Sequence, residues 1–215
     1  MKFVASYSGG KESALAIYEA QKLGHTAMGL ITTYNVDAGR SHFHGLSEGL
    51  LEGVAQSIGV PLHLVKTTGQ EYAKNFELAL HHAKATGAEA CVFGDIDIEG
   101  HIKWCTERCE AAGLEPLFPL LGRPRRDVVF QLIDSGFVAT VSVINKAFLG
   151  YDVLGKQLTK ALAEEVEANG ADICGENGEY HTFVSDGPIF AKPVPFTLGE
   201  KITRDGYAMV NLLEV

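Results

Sequence analysis

Ser8-Gly9-Gly10-Lys11-Glu12-Ser13 follows the apolar run Lys2–Tyr7 and precedes Ala14, Ile17 and Tyr18, spaced as one helix face. A strand, a Ser/Gly turn and a helix in that order suit a phosphate group. Two glycines let the backbone approach an anion closely and adopt positive φ. N–H groups at the helix start point at the ligand, and the helix dipole favours negative charge there. Lys11 adds a mobile positive charge, and Ser8 and Ser13 add hydroxyl donors. A plain strand-to-helix turn needs neither the lysine nor the second serine. The stretch is not a Walker A loop, G-x-x-x-x-G-K-[ST], because the first glycine is missing.

A second constellation lies at Cys174–Phe183. Two carboxylates, an amide, a phenol and an imidazole occupy the six positions Glu176–His181. Such clustering on a glycine-bearing loop is where binding groups concentrate. Glu176 and Glu179 can hold a cationic substrate or a magnesium ion, and His181 can act as a base or orient a carboxylate. Other polar residues have plainer readings. Cys105 and Cys109 suit one helix face rather than a zinc knuckle, and Cys174 is the best candidate for a reactive thiol. His44 is expected to cap the next helix or line the pocket, and His42 to be solvated. His81 and His82 point to different helix faces. Trp104 is expected to fill a contact between domains.

The elements that must position these groups alternate. Strands are expected at Phe3–Tyr7, Ala27–Thr33, Leu62–Lys66, Ala90–Gly94 and Pro116–Phe118. Between them run a helix after the Ser/Gly turn and three more, carrying Leu46, Leu50, Leu51, Val54 and Ile58; Tyr72, Phe76, Leu80 and Ala83; and Ile102, Cys105, Cys109 and Ala112. Gly24, Gly59, Gly87 and Gly113 stand just past these helices, as left-handed ends. Such alternation predicts an α/β fold with a parallel, Rossmann-like sheet, whose ligands bind beyond the C-terminal strand ends. Thr32, Thr33, Gly94 and Asp95 fall there. After Leu120 the pattern changes to a helix through Val128, Val129, Leu132 and Ile133, an apolar run Phe137–Ile144, and a helix over Leu158–Asn169. Gly175–Pro195 reads as ordered loop with short strands, and Glu200–Thr203 and Tyr207–Leu213 as a hairpin turning at Asp205-Gly206. The expected division is a nucleotide domain over 1–120 and a smaller α+β domain over 121–215.

The 215 residues are 46% hydrophobic and 21% charged, with a net charge of −9. That balance argues against general nucleic-acid binding. No stretch reads as a signal peptide or a membrane span, and a cytoplasmic protein with reduced thiols is expected. The sequence leaves the oligomeric state open, a homo-oligomer included.

With Glu12 in place of an Asp, Ser8–Ser13 resembles the SGGxDS loop of the ATP pyrophosphatases, which cut ATP between its α- and β-phosphates. Further blocks follow in order: Val92-Phe93-Gly94-Asp95-Ile96; Gly113-Leu114-Glu115-Pro116 with Pro119-Leu120-Leu121-Gly122-Arg123; and Gly175–Phe183 with Asp186-Gly187-Pro188-Ile189-Phe190. Together, over nearly the whole chain, they resemble the diphthine–ammonia ligase family of ATP-binding proteins. The resemblance implies ATP, Mg2+, ammonia and a carboxylate acceptor, with adenylation of the carboxylate followed by displacement of AMP by ammonia. In that family the acceptor is a modified histidine of elongation factor 2. Carried onto this chain, with the strand-end rule, it implies nucleotide binding by Ser8, Gly9, Gly10, Lys11, Glu12, Ser13, Thr32, Gly94 and Asp95. It also implies metal binding by Glu12 and Asp95, and catalysis by Lys11, Glu176, Glu179 and His181. Members from organisms that make diphthamide read EGGE[FY]E where this chain reads Glu176-Asn177-Gly178-Glu179-Tyr180-His181. This variant resembles the bacterial members, and it implies an acceptor other than diphthine. Nucleotide binding without turnover and tRNA thiolation are the competing functions.

Overall fold

The computed structural model describes residues 1–42 and 44–215; Phe43 lies outside the described residues. The first sheet and its helices comprise β1 (Lys2–Ser6), α1 (Lys11–Lys22), β2 (Thr26–Asn35), β3 (Arg40–Ser41), α2 (Glu48–Ile58), β4 (Leu62–Thr67), α3 (Tyr72–Ala85), β5 (Ala90–Val92), α4 (Glu99–Ala112) and β6 (Glu115–Leu117). β1 pairs with β2 on one side and β5 on the other. β4 lies beyond β2 and β6 beyond β5, all parallel, and β3 folds back antiparallel on Tyr34 and Asn35 of β2. Strand order therefore reverses between β1 and β5. The turns after these two strands open onto that crevice, the favoured ligand position of such sheets.

The remaining elements are α5 (Arg125–Asp134), β7 (Val138–Asn145), α6 (Lys160–Ala168), β8 (Tyr180–Asp186), β9 (Phe196–Arg204) and β10 (Tyr207–Glu214). The last four strands form an antiparallel sheet in the order β8-β7-β10-β9. The expected hairpin turns at Asp205-Gly206, but β9 begins earlier, at Phe196. β8 corrects the reading of Gly175–Pro195 as loop with short strands. Tyr180, Thr182, Phe183, Val184 and Ser185 are all buried, so the strand has no polar face and shows no alternation.

Period-two alternation divides β1 between two cores. Phe3 and Ala5 join a cluster that runs through α1 and α2 and into the second sheet at Val141, Phe183 and Val184. Val4 faces the opposite side, with Val65, Phe76, Leu80, Phe93, Cys105 and Cys109. α1 is apolar on most of its surface because it lies between the two sheets, burying Ala14, Leu15, Ala16, Ile17 and Ala20. Leu46 stands outside α2, contrary to expectation. The Ser47 hydroxyl accepts the Leu50 N–H and so starts the helix at Glu48. Among the described residues no helix is long and apolar enough to cross a membrane.

Candidate functional site

The edge strand β8 meets the Ser/Gly turn. An edge strand carries unpaired backbone groups, and here the turn uses them. Val184 N–H donates to Gly9 O at 2.9 Å, and Thr182 O accepts from His44 Nδ1 at 2.8 Å. Thr182 Oγ1 accepts the Lys11 N–H at 3.2 Å. The carbonyl partner assigns the His44 proton to Nδ1 and leaves Nε2 as an acceptor. Gly9 has φ +92, and a Cβ there would collide with Leu46 Cδ1; a Cβ on Gly10 would collide with the His44 ring. Ser8 and Ser13 hydroxyls lie 3.2 Å apart, and Ser13 Oγ also donates to Gly10 O at 2.9 Å. The serines thus hold the turn's shape. Gly10, at the cap position of α1, offers no side chain to the helix's first N–H groups.

Lys11 is buried, with Nζ 2.8 Å from Glu12 Oε1 and 4.5 Å from the centre of the Tyr180 ring. Burial works against its charge, but the Glu12 carboxylate and, to a smaller extent, Tyr180 and Cys174 together offset it and move the pKa upward. After β5, a Cβ on Gly94 would stand 2.8 Å from Glu12 C and Ser13 N, so this connection lies flat on the first turn of α1. Asp95 follows. Its Oδ1 is 3.6 Å from His101 Nδ1, its Oδ2 is approached by Cys105 Sγ at 3.8 Å, and burial raises its pKa.

Across from this wall, Asp172 organises a loop. Its Oδ1 accepts Cys174 N–H at 3.1 Å and its Oδ2 accepts Glu176 N–H at 3.0 Å. Arg125 pairs with Asp172 and grips Asp97 through Nε and Nη2 at 2.9 and 2.7 Å, tying this loop to the β5 connection. Glu179 turns inward. It accepts Asp172 N–H at 3.2 Å, Asn177 N–H at 3.0 Å and the Asn177 amide at 3.2 Å. Burial alone would raise its carboxyl; these N–H donors outweigh it and hold the group low. Glu176 behaves oppositely. Burial, then the Glu12 charge, pushes it up to about 8. His181, on β8, is pulled down to about 4 by burial and then by Lys11. His44 is lowered well below its ordinary value, by burial first and then by His181 and Lys11. The two neutral rings meet edge to face at 4.9 Å.

These walls enclose a cleft of about 380 Å³. Of the expected residues, Ser8, Lys11, Glu12, Ser13, Gly94, Asp95, Glu176 and His181 line it. Gly9 and Gly10 shape the turn behind it. Thr32 donates to Tyr7 O at 2.7 Å and so fixes the end of β1 rather than reaching the cleft. Glu179 is the brace of its loop. Cys174 and Cys105 line the cleft, but burial pushes both thiols up, and Cys174 Sγ–H donates to Arg125 O at 3.1 Å. Cys174 is therefore a buried thiol rather than a reactive thiolate.

Several lining residues carried no signal of their own in the sequence. Tyr72 and Trp104, with ring centroids 5.7 Å apart, form an aromatic side with Phe93. Trp104 packs on the smaller core and this cleft, not between domains. Tyr72 opens the helix after β4, where the strand-end rule would have found it. His42 is half-buried against Tyr72, rings 5.4 Å apart, rather than solvated. His44 lines the cleft, while Ser47 does the capping. Among the described residues no three His, Cys, Asp or Glu side chains converge as a preformed metal site.

The family described as diphthamide synthase N-terminal domain matches residues 1–116, and the diphthamide synthase C-terminal domain matches 125–211. The chain belongs to the diphthamide synthase family. A curated relative named diphthine–ammonia ligase from Danio rerio is 26% identical over 239 residues, covering 99% of this chain and 94% of that one. A protein of the same name from Bos taurus is 26% identical over 242 residues, covering 99% and 90%. One from Mus musculus is 34% identical over 115 residues, covering 50% and 42%. A solved structure titled as a predicted subunit of tRNA methyltransferase from Methanocaldococcus jannaschii aligns with a TM-score of 0.45 at 16% identity, over 86% and 96%. In this chain the N-terminal match carries the Ser/Gly turn and the β5 connection. The C-terminal match carries Arg125, Asp172, Glu176 and β8.

Proposed function

We propose that the chain is an ATP-dependent ligase that activates a carboxylate as its adenylate and transfers the acyl group to ammonia. The observation that carries this reading is one cleft lined by both the Ser/Gly turn and the Glu176–His181 segment. The names of the full-length relatives support it. The triphosphate lies on the turn, with Lys11 exchanging its Glu12 partner for phosphate oxygens. The acceptor carboxylate attacks the α-phosphorus, and pyrophosphate leaves. Ammonia then attacks the acyl carbon, AMP leaves, and one proton is released. Positioning and charge neutralisation supply the acceleration.

Glu176 is assigned that proton, because a group titrating near 8 both takes and gives protons at working pH. Neutral His181 donates a hydrogen bond to the acceptor, and Glu179 positions the loop. Glu12 and Asp95 would hold Mg2+, which when bound neutralises charge on the phosphate oxygens. Two carboxylates suffice because phosphates and waters complete magnesium's shell, and the buried Glu12 Oε1 has as its partner the Lys11 ammonium, 2.8 Å away, which turns to the phosphates when ATP binds and leaves this oxygen for a cation. At His181 there is no carboxylate to attract a trimethylammonium group, so the acceptor is a less cationic carboxylate than diphthine. ATP and free ammonia as substrates fit a cytoplasmic enzyme. Sulfur transfer to tRNA finds little support, since the thiols on the cleft are held protonated.

The test is product analysis with labelled ATP, magnesium, ammonium and a panel of carboxylates. AMP and pyrophosphate in equal amounts, with an amide formed only when ammonium is present, are expected. ADP and orthophosphate as the sole products would overturn the reading.

A further inference from the structure

Behind His44 and His181 lies a second cavity, of about 300 Å³. Both imidazoles line both cavities, so the two adjoin at this pair of rings. None of the steps above uses it. Its character is basic in a chain whose net charge is −9. Arg40 comes from β3 and Arg204 from the end of β9, and His42 lies beside them. Arg40 spends one N–H on Gly45 O at 2.9 Å, and the rest of its fork remains for a ligand. Among the described residues, the buried His42 Nε2 atom has no hydrogen-bond partner. The carboxylate among the described lining residues is Asp205, 3.2 Å from Arg204 Nε; these two side chains are 85% and 82% exposed, so water screens both, and the half-buried Arg40 is the stronger cation of the site. Asn211 adds an amide. The Tyr207 hydroxyl stands 3.3 Å from where a Cβ on Gly178 would be, so Tyr207 lies between this cavity and the loop that carries Glu176.

We propose that this cavity binds a second anionic group of the acceptor, so that the acceptor is a small polycarboxylate whose reacting carboxylate enters the cleft past His181. The assignment rests on the ligase reading. Two guanidinium groups favour such a molecule and repel one carrying a fixed ammonium charge.

Glutarate and citrate serve as probes, with propionate as the single-carboxylate control, titrated by calorimetry and by imidazole NMR of the full chain. Binding of at least one polycarboxylate about tenfold more tightly than propionate is expected, the size of one charged hydrogen bond. The His42 resonances should move. Arg204→Gln, at an exposed position that folding does not need, should lose part of the preference, and R40Q/R204Q should lose all of it, with ATP affinity unchanged. Equal binding of all three probes would overturn the proposal. So would a preference that survives in R40Q/R204Q, binding that competes with ATP, or a lower KM for ammonium in the double variant, which would mark an ammonia inlet. Failure of the unaltered chain to bind or cleave ATP would refute the ligase reading separately, because anion binding at Arg40 and Arg204 is read without nucleotide.

Discussion

In the Ser8–Ser13 turn the serine hydroxyls bond to each other and to Gly10, and the two glycines pack against Leu46 and His44. The backbone and one lysine are left to meet the ligand. In the Asp172–His181 segment the carboxylates divide that labour. Glu179 closes the loop from within, and Glu176, three residues earlier, faces the cleft with its pKa raised. The first wall is rigid because small residues leave no room to move. The second is held by buried charge, so its geometry depends on which carboxyls are ionised. A cleft that grips a nucleotide and then handles a proton needs both kinds of wall.

The comparison breaks most sharply at Lys11. Lys11→Met keeps the packing and removes the charge. We expect ATP affinity to fall at least about tenfold and kcat/KM to fall by about 10²–10³, the usual loss of one transition-state charge donor. Unaltered ATP binding in a calorimetric titration would place the phosphates elsewhere. Gly94→Ala tests the rigidity itself. Its Cβ would stand 2.8 Å from two backbone atoms of α1, which cannot rotate aside. A loss of about 1–3 kcal/mol in urea unfolding, together with weakened ATP binding, is expected.

The two glutamates sharpen the contrast. Glu179→Gln turns an amide donor toward N–H groups and should cost about 1–3 kcal/mol, with acceptor-dependent turnover lost and ATP binding spared. Glu176→Gln should instead change the pH dependence. The native Glu176 carboxyl binds its proton more tightly than the ordinary value of 4.5 and releases it near 8. Its stabilisation is full below about pH 4.5 and disappears as pH rises to 8. His181 works the other way. Its depressed native value makes the fold lose stability as pH falls from 6.5 toward 4. Thermal melts across pH 4–9 should therefore show a smaller alkaline decline in Glu176→Gln and a smaller acid decline in His181→Asn. Identical profiles in all three proteins would remove the electrostatic difference between the walls. The smallest effect is expected from Thr182→Val, which deletes the acceptor of the Lys11 N–H. About 1 kcal/mol of stability and a minor change in ATP affinity should result.

The Ser/Gly wall was legible because strand, turn and helix are contiguous, although the room that Gly9 and Gly10 leave for Leu46 and His44 was not. The parallel strands were legible from their apolar runs, and with them the crevice beyond β1 and β5. The second wall was legible only as a collection of residue types. Nothing local separates Glu176 from Glu179; the direction of each is set by the hydrogen bonds of Asp172 and Asn177. β8 was read as loop because burial on both faces removed its alternation. His44 reaches Thr182 across 138 residues, and Arg125 reaches Asp172 across 47, so no spacing in the sequence announces either contact.

The most direct test is a crystal structure with α,β-methylene ATP, in which the bond to be cut is blocked. The expected result places the triphosphate on the backbone of the Ser8–Ser13 turn and on Lys11 Nζ, the base beside Tyr72 and Trp104, and the α-phosphate facing Glu176 and His181. A nucleotide bound outside this cleft, or one whose α-phosphate faces away from Glu176 and His181, would contradict a single site for nucleotide and acceptor.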